Sequence, residues 1–584
     1  MLKECIEIFQ QEMETKNGKL VLDTYVPADG TYIIVGKDGK IIEKTDIIKD
    51  KKTKEVDRAT PYFDKICFYD YNSQLISMNK PVDSKKIIHS NNYLSFFIKK
   101  ESLLNGKLTD EIIDGYYSIL MDPVEKKYKK SKEAVRIYQD FEEKEGSVDA
   151  AFVEQIKEWM KEKVFSLEDV DKTRKDYLKI FFEADFAEYE REGRRYFLPN
   201  IYNNNSYNTE IQGRIYGIPD NNLGMNAKKP FLSVKTRKYA ASYLLDSDQV
   251  IWQKQFFDYL MNLAAAGKYH IYVDTKMKKI LSCKNGEVPD KVQAGYYFRI
   301  RKGKTEAEIY EQDNISEYEE KLKRPFYFVN YLQVDHEAFK HPELNQEYKR
   351  YDNRTVVGQL VDKIFFFGAF GGNFSISEDN IQVKQDILKQ NMILAKDAWF
   401  DWMAKGVEDR LLEVIERTAL KLVEVSLQKN YKERAMRQLN LKWSFEEYLG
   451  RKGEKDMGEI ITELHQKVRK KVNADEVVPV DNDKEYYFCV GQLASYLLSL
   501  SKMKDRNQSL LNPIMNAKTD RLIKMRLFQL YKKYNYSILD SYKRVNNLLA
   551  MVEGYIPEGK VDQESIMLGY VCSSVVYKKE EKNG

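Results

Sequence analysis

The chain has 584 residues, of which 43% are hydrophobic and 32% charged, and its 95 basic residues nearly balance 91 acidic ones. This length predicts roughly three or four domains, and no run approaches the ~18 apolar residues that a membrane-spanning helix needs. Five scattered Cys without a CxxC pair argue against a disulfide framework, so we expect a cytoplasmic protein that has no membrane partner.

The first third of the chain, 1–198, is predicted to be a mixed α/β domain. Its pattern predicts an N-terminal amphipathic helix, strands within 19–42, a strand pair within 62–78 and helices within 108–163. A further helix, with Phe residues on one side, is expected over 169–191.

The middle of the chain, 199–382, is predicted to be β-rich. An amphipathic helix is expected over 246–266, followed by a β-meander over 268–310. The Asn-Gly pair within 284–286 is typical of a tight hairpin turn.

From 383 onward the pattern is almost wholly helical. We expect a helical connector over 383–456, which ends in a Gly- and charge-rich stretch, and a C-terminal bundle over 457–584. The five helices expected in that bundle are 457–472, 485–502, 520–534, 539–555 and 563–577. The predicted fold class is therefore α+β.

Positive charge is concentrated near the C-terminus. The segment 502–544 holds 11 Lys or Arg against three Asp, a net charge near +8 in a chain whose total is +4. A folded basic face is the usual electrostatic footprint for a phosphate backbone, and a well-solvated helix face is the alternative. The candidates for backbone contact are Lys518, Arg521, Lys524, Arg526, Lys532, Lys533 and Arg544.

A second candidate region is the segment 221–238, which contains no acidic residue. Asn and Lys side chains on a loop shaped by Gly and Pro can reach base edges and phosphates. A surface β-hairpin is the alternative, and the upstream Asn run could join the loop. The candidates for base recognition are Asn203, Asn204, Asn205, Asn222, Asn226, Lys228 and Lys229, and the candidates for backbone contact in this segment are Lys235, Arg237 and Lys238.

No catalytic signature stands out. The chain has five His but no HExxH, no zinc spacing and no nucleophile elbow, and the Gly-rich segment 368–373 lacks the GKS/T ending of a P-loop. Three acidic pairs occur, and helix capping is favoured over Mg²⁺ binding for the first two: Asp169 and Asp171, Asp246 and Asp248, Asp481 and Asp483. We interpret the protein as a non-enzyme without metal or cofactor, with a metal-dependent nuclease as one alternative.

A family resemblance rests on several groups of residues. They are Asn79-Lys80-Pro81-Val82 with 85–95, 224–231 with 235–238, 491–501, 510–516, and Gly569-Tyr570. These segments resemble the large subunit of type I-B CRISPR effector complexes (Cascade), and the resemblance spans essentially the whole chain.

The resemblance implies a non-catalytic subunit of an RNA-guided surveillance complex. Such a subunit recognises the short motif that flanks the target, helps to open the duplex, supports the displaced strand and recruits a helicase-nuclease. The implied partners are guide RNA, target DNA, and the backbone, guide-capping and small subunits of the complex. An RNA-binding scaffold unrelated to defence is the remaining alternative.

The resemblance also suggests residue roles. Recognition of the flanking motif falls on Asn222, Asn226, Lys228 and Lys229, which match the family's loop, and backbone support falls on the C-terminal cations. The C-terminal helical part resembles the small subunit, which can be made separately from an internal start. We therefore predict a 128-residue product from Met457 to Gly584, with Met436 as the competing start.

Overall fold

The computed structural model describes residues 1–50, 56–168, 170–203, 207–220, 243–304, 306–335, 348–451, 456–501, 509–538 and 542–577. The chain divides into two compact units. Unit 1 is Met1–Lys284 with Gln293–Ile315, and unit 2 is Asn285–Val292 with Ser316–Gly584. The fold class is α+β, as predicted. The units divide the chain at points other than the three boundaries between the four predicted domains, which remain a prediction.

The described residues form nineteen α-helices and fourteen strands, numbered in chain order. The helices are α1 Leu2–Thr15, α2 Leu20–Thr24, α3 Phe63–Tyr71, α4 Lys100–Leu104, α5 Asp110–Met121, α6 Lys132–Glu145, α7 Ala150–Lys163, α8 Phe186–Phe197, α9 Ser247–Ala265, α10 Arg354–Phe365, α11 Asp386–Phe400, α12 Leu411–Gln428, α13 Lys432–Tyr448, α14 Met457–Asn473, α15 Asp483–Ser499, α16 Asn512–Met515, α17 Asp520–Tyr534, α18 Lys543–Gly554 and α19 Gln563–Val571. The strands are β1 Gly30–Val35, β2 Ile41–Ile47, β3 Ser95–Lys99, β4 Tyr177–Phe182, β5 Thr209–Ile211, β6 Arg214–Tyr216, β7 Lys268–Asp274, β8 Lys279–Lys284, β9 Lys291–Val292, β10 Gly295–Lys302, β11 Ala307–Ile315, β12 Tyr318–Glu319, β13 Lys321–Tyr327 and β14 Arg350–Asn353. No helix among the described residues is long and apolar enough to cross a membrane.

Unit 1 begins with a four-stranded sheet in the order β2-β1-β4-β3. The central strands β1 and β4 pair in parallel, and each pairs with its outer neighbour in antiparallel fashion. Every residue of β1 is buried, which means that both faces of the sheet are covered and explains its continuous apolar run.

Two sequence predictions in this region are wrong. The predicted helix over 169–191 is replaced by the central strand β4 and the start of α8, because a short apolar run such as Leu-Lys-Ile-Phe-Phe fits a buried strand as well as a helix. The predicted strand pair over 62–78 is instead the helix α3.

The strands predicted over 268–310 are confirmed as the second, antiparallel sheet of unit 1, but the order β11-β10-β7-β8 is not that of a meander, because β7 lies between β8 and β10. Side chains of α1 and α9 pack in one core with this sheet. The turn after β8 does not close a hairpin, contrary to the prediction, since β8 pairs with β7 and β10 pairs with β7 and β11.

Unit 2 is built around α15. All of its residues from Glu485 to Leu498 except Ser495 are buried, as expected of a helix surrounded on every side. Its neighbours are α14, α17, α18 and α19. The predicted helices over 457–472 and 520–534 match α14 and α17 within one residue, whereas the last predicted helix ends at Val571.

Two glycines allow the backbones of α15 and α19 to approach closely. A Cβ at Gly491 would clash with the Ile566 carbonyl oxygen and lie 2.7 Å from the Tyr570 nitrogen. A Cβ at Gly569 would clash with the Phe488 carbonyl group, whose carbon would be 2.9 Å away. Since backbone cannot move aside like a flexible side chain, only glycine fits at either crossing point.

The Gln492 side chain closes the same contact. Its amide nitrogen donates to the carbonyl oxygens of Gly569 at 2.6 Å and Ser573 at 3.2 Å. Its amide oxygen accepts from the backbone N–H of Val575 at 2.9 Å. The close crossing of α15 and α19 is therefore fixed by shape and by hydrogen bonds.

Replacing either crossing glycine should destabilise the protein. We expect Gly491→Ala and Gly569→Ala each to lower the free energy of unfolding by about 3 kcal/mol, because the added methyl group forces the two backbones apart. Gly554→Ala is the matched control, since a Cβ at Gly554 meets nothing within 4 Å. It should leave stability unchanged or raise it by up to about 1 kcal/mol. Urea unfolding of the three variants measures this, and equal stability of all three would contradict the close crossing.

Candidate nucleic-acid interface

Residues on both sides of the basic segment 221–242 are held by hydrogen bonds within unit 1. We call the following set of residues the loop anchor: Lys80, 200–202 and Asp220. The Lys80 ammonium group donates to the carbonyl oxygens of Asn200 at 2.8 Å and Tyr202 at 2.6 Å. It also pairs with Asp220 Oδ2 at 3.1 Å, and Asp220 is only 4% exposed. A buried carboxylate paired in this way fixes the residue that immediately precedes the basic segment.

Backbone hydrogen bonds complete the loop anchor. The N–H of Asp220 donates to the Ile201 carbonyl oxygen at 2.7 Å, and the N–H of Asn203 donates to the Ile218 carbonyl oxygen at 3.0 Å. Gly217 and Leu245 exchange two hydrogen bonds of 3.0 Å, so the chain on the far side of the segment is held as well.

A steric constraint also requires glycine at position 217. A Cβ there would lie 2.5 Å from Cδ1 of Tyr202, whose hydroxyl donates to the carbonyl oxygens of Ile215 and Leu245. The absence of a side chain lets the tyrosine ring lie against the backbone, where its hydroxyl binds residues on both sides of the basic segment 221–242.

Most candidates for base contact, and the backbone candidates Lys235, Arg237 and Lys238, lie outside the described residues. Asn203 is placed at the loop anchor, half-buried. The others lie in the undescribed ranges 204–206 and 221–242: Asn204, Asn205, Asn222, Asn226, Lys228, Lys229, Lys235, Arg237 and Lys238. The segment 221–242 carries five basic residues and no acidic residue.

The sequence did not reveal the role of Lys80. In the sequence, Lys80 stands out only as part of the motif Asn79-Lys80-Pro81-Val82. Nothing in the pattern indicates that its partners lie some 120 to 140 positions further along the chain. Long-range partners of this kind become visible only in the folded protein.

Removing Asp220 should loosen the loop anchor. Asp220→Ala removes the carboxylate that pairs with Lys80, and we expect the free energy of unfolding to fall by about 2–3 kcal/mol. The double variant Lys80→Met with Asp220→Ala should lose less stability than the sum of the two single variants, because both single changes break the same ion pair. Chemical denaturation measures all three, and losses that simply add would contradict this ion pair.

The second candidate surface is the outer side of α17 in unit 2. Thr519 caps the helix, accepting from the backbone N–H of Leu522. The inner side packs in the core, whereas four cations are exposed: Lys518, Arg521, Lys532 and Lys533. We call these four residues the α17 cation face. Lys532 and Lys533 lie in the last turn, where the helix dipole also favours positive charge.

Lys524 does not belong to the α17 cation face. Its ammonium group donates to the carbonyl oxygens of Glu553 at 3.3 Å and Tyr555 at 2.5 Å, at the C-terminal end of α18. It also pairs with Asp520 at 3.2 Å, and its side chain is 17% exposed. Lys524 therefore binds the end of α18, where a cation satisfies the last carbonyl groups.

Arg526 and Arg544 are also partly engaged within the protein. Arg526 is half-buried and donates to Gln529 Oε1 at 3.0 Å. Arg544 donates to Asn473 Oδ1 at 2.6 Å and to the Val576 carbonyl oxygen at 3.2 Å. Sequence spacing could not separate these residues from the exposed cations: Arg526 alternates with them along α17, and the partners of Arg544 on α18 lie far away in the sequence.

Apolar side chains are exposed beside the α17 cation face. Leu522, Met525 and Phe528 follow one another at helical spacing, and Lys532 lies 4.6 Å from the Phe528 ring centre. Rings interleaved with cations are typical of surfaces that bind single strands, and an apolar patch is also typical of protein contacts.

The first two acidic pairs have structural partners. Asp246 caps α9 in a capping box with Gln249, as predicted. Asp171 accepts from both the N–H and the hydroxyl of Thr173, and Asp169 lies outside the described residues.

The third pair is engaged as well. Hydrogen bonds from Lys467 and Lys471 lower the pKa of Asp481, and the backbone N–H of Gly559 lowers the pKa of Asp483. Within the described ranges, no group of three or more His, Cys, Asp or Glu could hold a metal ion.

The glycine-rich segment 368–373 is organised by a carboxylate. The N–H groups of Phe370 and Gly372 each donate to Asp362 at 3.0 Å. Burial raises the pKa of Asp362 above its ordinary value. These N–H groups are thus occupied by a side chain of the protein, which agrees with a tight turn.

Comparisons with known proteins add no identification. No protein-family model matches the chain, and no curated protein or solved structure matches it either.

The α17 cation face should contact phosphate groups, whereas Lys524 should not. The double variant Arg521→Ala with Lys532→Ala is expected to weaken the binding of nucleic acids of every sequence alike. It should also reduce the slope of log affinity against log salt concentration by roughly one unit per lost phosphate contact. Lys524→Ala should instead lower the free energy of unfolding, by about 1–3 kcal/mol, with little change in slope. Fluorescence anisotropy at several salt concentrations tests this, and an unchanged slope in the double variant would remove α17 from the interface.

Proposed function

We propose that the protein is the non-catalytic large subunit of an RNA-guided type I-B CRISPR surveillance complex. In this proposal it recognises the protospacer-adjacent motif, aids duplex opening, binds the displaced strand and recruits the helicase-nuclease. The observation that carries the proposal is the basic segment 221–242, whose five cations have no acidic neighbour and whose two ends are held at the loop anchor. A loop on a rigid base is a common way to present base-reading side chains.

The two basic regions have different roles in this proposal. Recognition of the flanking motif falls on Asn222, Asn226, Lys228 and Lys229, with Asn203, Asn204 and Asn205, because amide groups can pair with base edges. Lys235, Arg237 and Lys238 contact the backbone. The α17 cation face supports a strand without reading its sequence, since phosphate contacts carry no sequence information. The proposed partners are guide RNA, target DNA and the other subunits of a cytoplasmic complex.

The proposed internal product from Met457 coincides with the start of a helix. Met457 is the first residue of α14, which Asp456 caps by accepting from the N–H groups of Gly458 and Glu459. A product that begins at Met457 lacks this cap, a loss of typically about 1 kcal/mol. It also lacks α13, whose Trp443 belongs to the same core as the bundle.

The flanking-motif assignment is tested by Asn226→Ala. We expect the variant to lose discrimination between duplexes that differ only in the flanking bases, by ~1–3 kcal/mol if Asn226 makes a bidentate base contact. Lys518→Ala is the control and should weaken all duplexes equally. Competition binding with a panel of flanks provides the measurement, and equal losses on every flank in Asn226→Ala would assign that residue to backbone positioning.

Incubation of the protein and the same duplexes with Mg²⁺ or Mn²⁺, with cleavage as the measurement, tests the nuclease alternative. Cleavage that is lost on Asp169→Ala would favour a metal-dependent nuclease over the proposed function. Binding to RNA without any preference among DNA flanks would favour the scaffold alternative.

A further inference from the structure

A cavity of about 650 Å³ lies beside the N-terminal end of α18 in unit 2. Its lining includes Asn473, Tyr496, Tyr542, Lys543, Arg544 and Tyr577. We propose that this tyrosine pocket receives one unstacked base of a single-stranded nucleic acid and holds the adjoining phosphate with its cations. This inference rests on the proposed function and adds to it a site for a base away from the basic segment 221–242.

The ring surfaces suit a planar ligand. Tyr542 is 43% exposed and Tyr577 is 53% exposed, so both rings are accessible from the cavity. The rings of Tyr577 and Tyr496 lie 5.8 Å apart between centres, which places a third ring at the same site. Aromatic side chains are the usual stacking platforms for unpaired bases and tolerate any sequence.

Tyr496 adds a polar group to the cavity lining. The residue is 4% exposed and lines the cavity. Burial and the neighbouring Tyr577 and Tyr542 raise the pKa of Tyr496, which keeps its hydroxyl neutral and able to donate a hydrogen bond. A base edge offers acceptors for such a donor.

The charges at the pocket favour an anion. Lys543 and Arg544 occupy the first turn of α18, which contains no acidic residue and has no side-chain cap. Cations are unfavourable at the N-terminal end of a helix because the helix dipole is positive there. The positive charges of the two side chains and the helix dipole together favour binding of a phosphate group.

Arg544 is oriented for such a role. Its bonds to Asn473 and to the Val576 carbonyl oxygen hold the guanidinium group and use two of its five N–H donors. The remaining donors can bind phosphate oxygens. Lys543 pairs with Asp475, whose side chain is fully exposed, and an exposed pair of this kind is readily exchanged for a phosphate contact.

The test compares strands with and without bases on the full-length protein. The probes are a fluorescein-labelled dT 12-mer, the same sugar-phosphate chain with abasic sites throughout, and a U 12-mer. We expect the wild type to bind dT more tightly than the abasic chain. Tyr542→Ala with Tyr577→Ala should weaken dT binding by about 5- to 100-fold, the range for lost base stacking, and leave abasic binding unchanged. The corresponding double Phe variant retains both rings and should keep most of the preference.

Controls separate this site from general effects. Tyr536→Ala removes a tyrosine that is 65% exposed in the same unit but does not line the pocket, and it should behave as the wild type. Melting temperatures confirm folding of each variant, and Tyr496 is left intact because it belongs to the core. Tighter binding of U than of dT would assign the pocket to RNA, and the reverse would assign it to DNA.

The outcomes distinguish the inference from the proposed function. Equal binding of dT and abasic chains by the wild type, or a preference that survives in the double Ala variant, overturns the tyrosine pocket while nucleic-acid binding stands. Failure to bind any strand overturns the proposed function as well.

Discussion

The close crossing of α15 and α19 is the constraint on which unit 2 depends. Two backbones meet where Gly491 and Gly569 leave no room for a methyl group, and Gln492 bonds across the same contact. Because α15 is buried on every side, its position determines where its neighbours can pack. The outward directions of α17 and α18, and hence of their cations, follow from a contact between residues without side chains.

The residues that suggested a family from the sequence have structural roles in the folded chain. Gly491 and Gly569 form the crossing, Lys80 holds the loop anchor, and the Asn92 amide group, wholly buried, donates to the Tyr189 carbonyl oxygen at 3.0 Å. Motifs of this kind reflect how a chain folds. The residues that contact a ligand are a separate set, so the function has to be argued from the site itself.

Sequence patterns predicted the long helices well and the rest less well. The helices α14 and α17 were placed within one residue, since amphipathic spacing over four turns is a strong signal. The strand β4 was missed because six residues that are apolar except for Lys179 show no period that distinguishes a strand from a helix. At the candidate interface, the spacing of Lys and Arg predicted a basic helix correctly but could not tell that Lys524 faces the end of α18. Charge is visible in a sequence, whereas the partner that neutralises it is decided by tertiary packing.

The loop anchor has a consequence for how this protein can diversify. Asp220 and Leu245 flank the basic segment 221–242, and both are held by hydrogen bonds to other residues of unit 1: Asp220 to Lys80 and Ile201, and Leu245 to Gly217. These contacts use no side chain of the residues in between. Substitutions within 221–242 therefore leave the contacts of the loop anchor intact, so the chemistry of this segment can change during evolution while its attachment points stay the same.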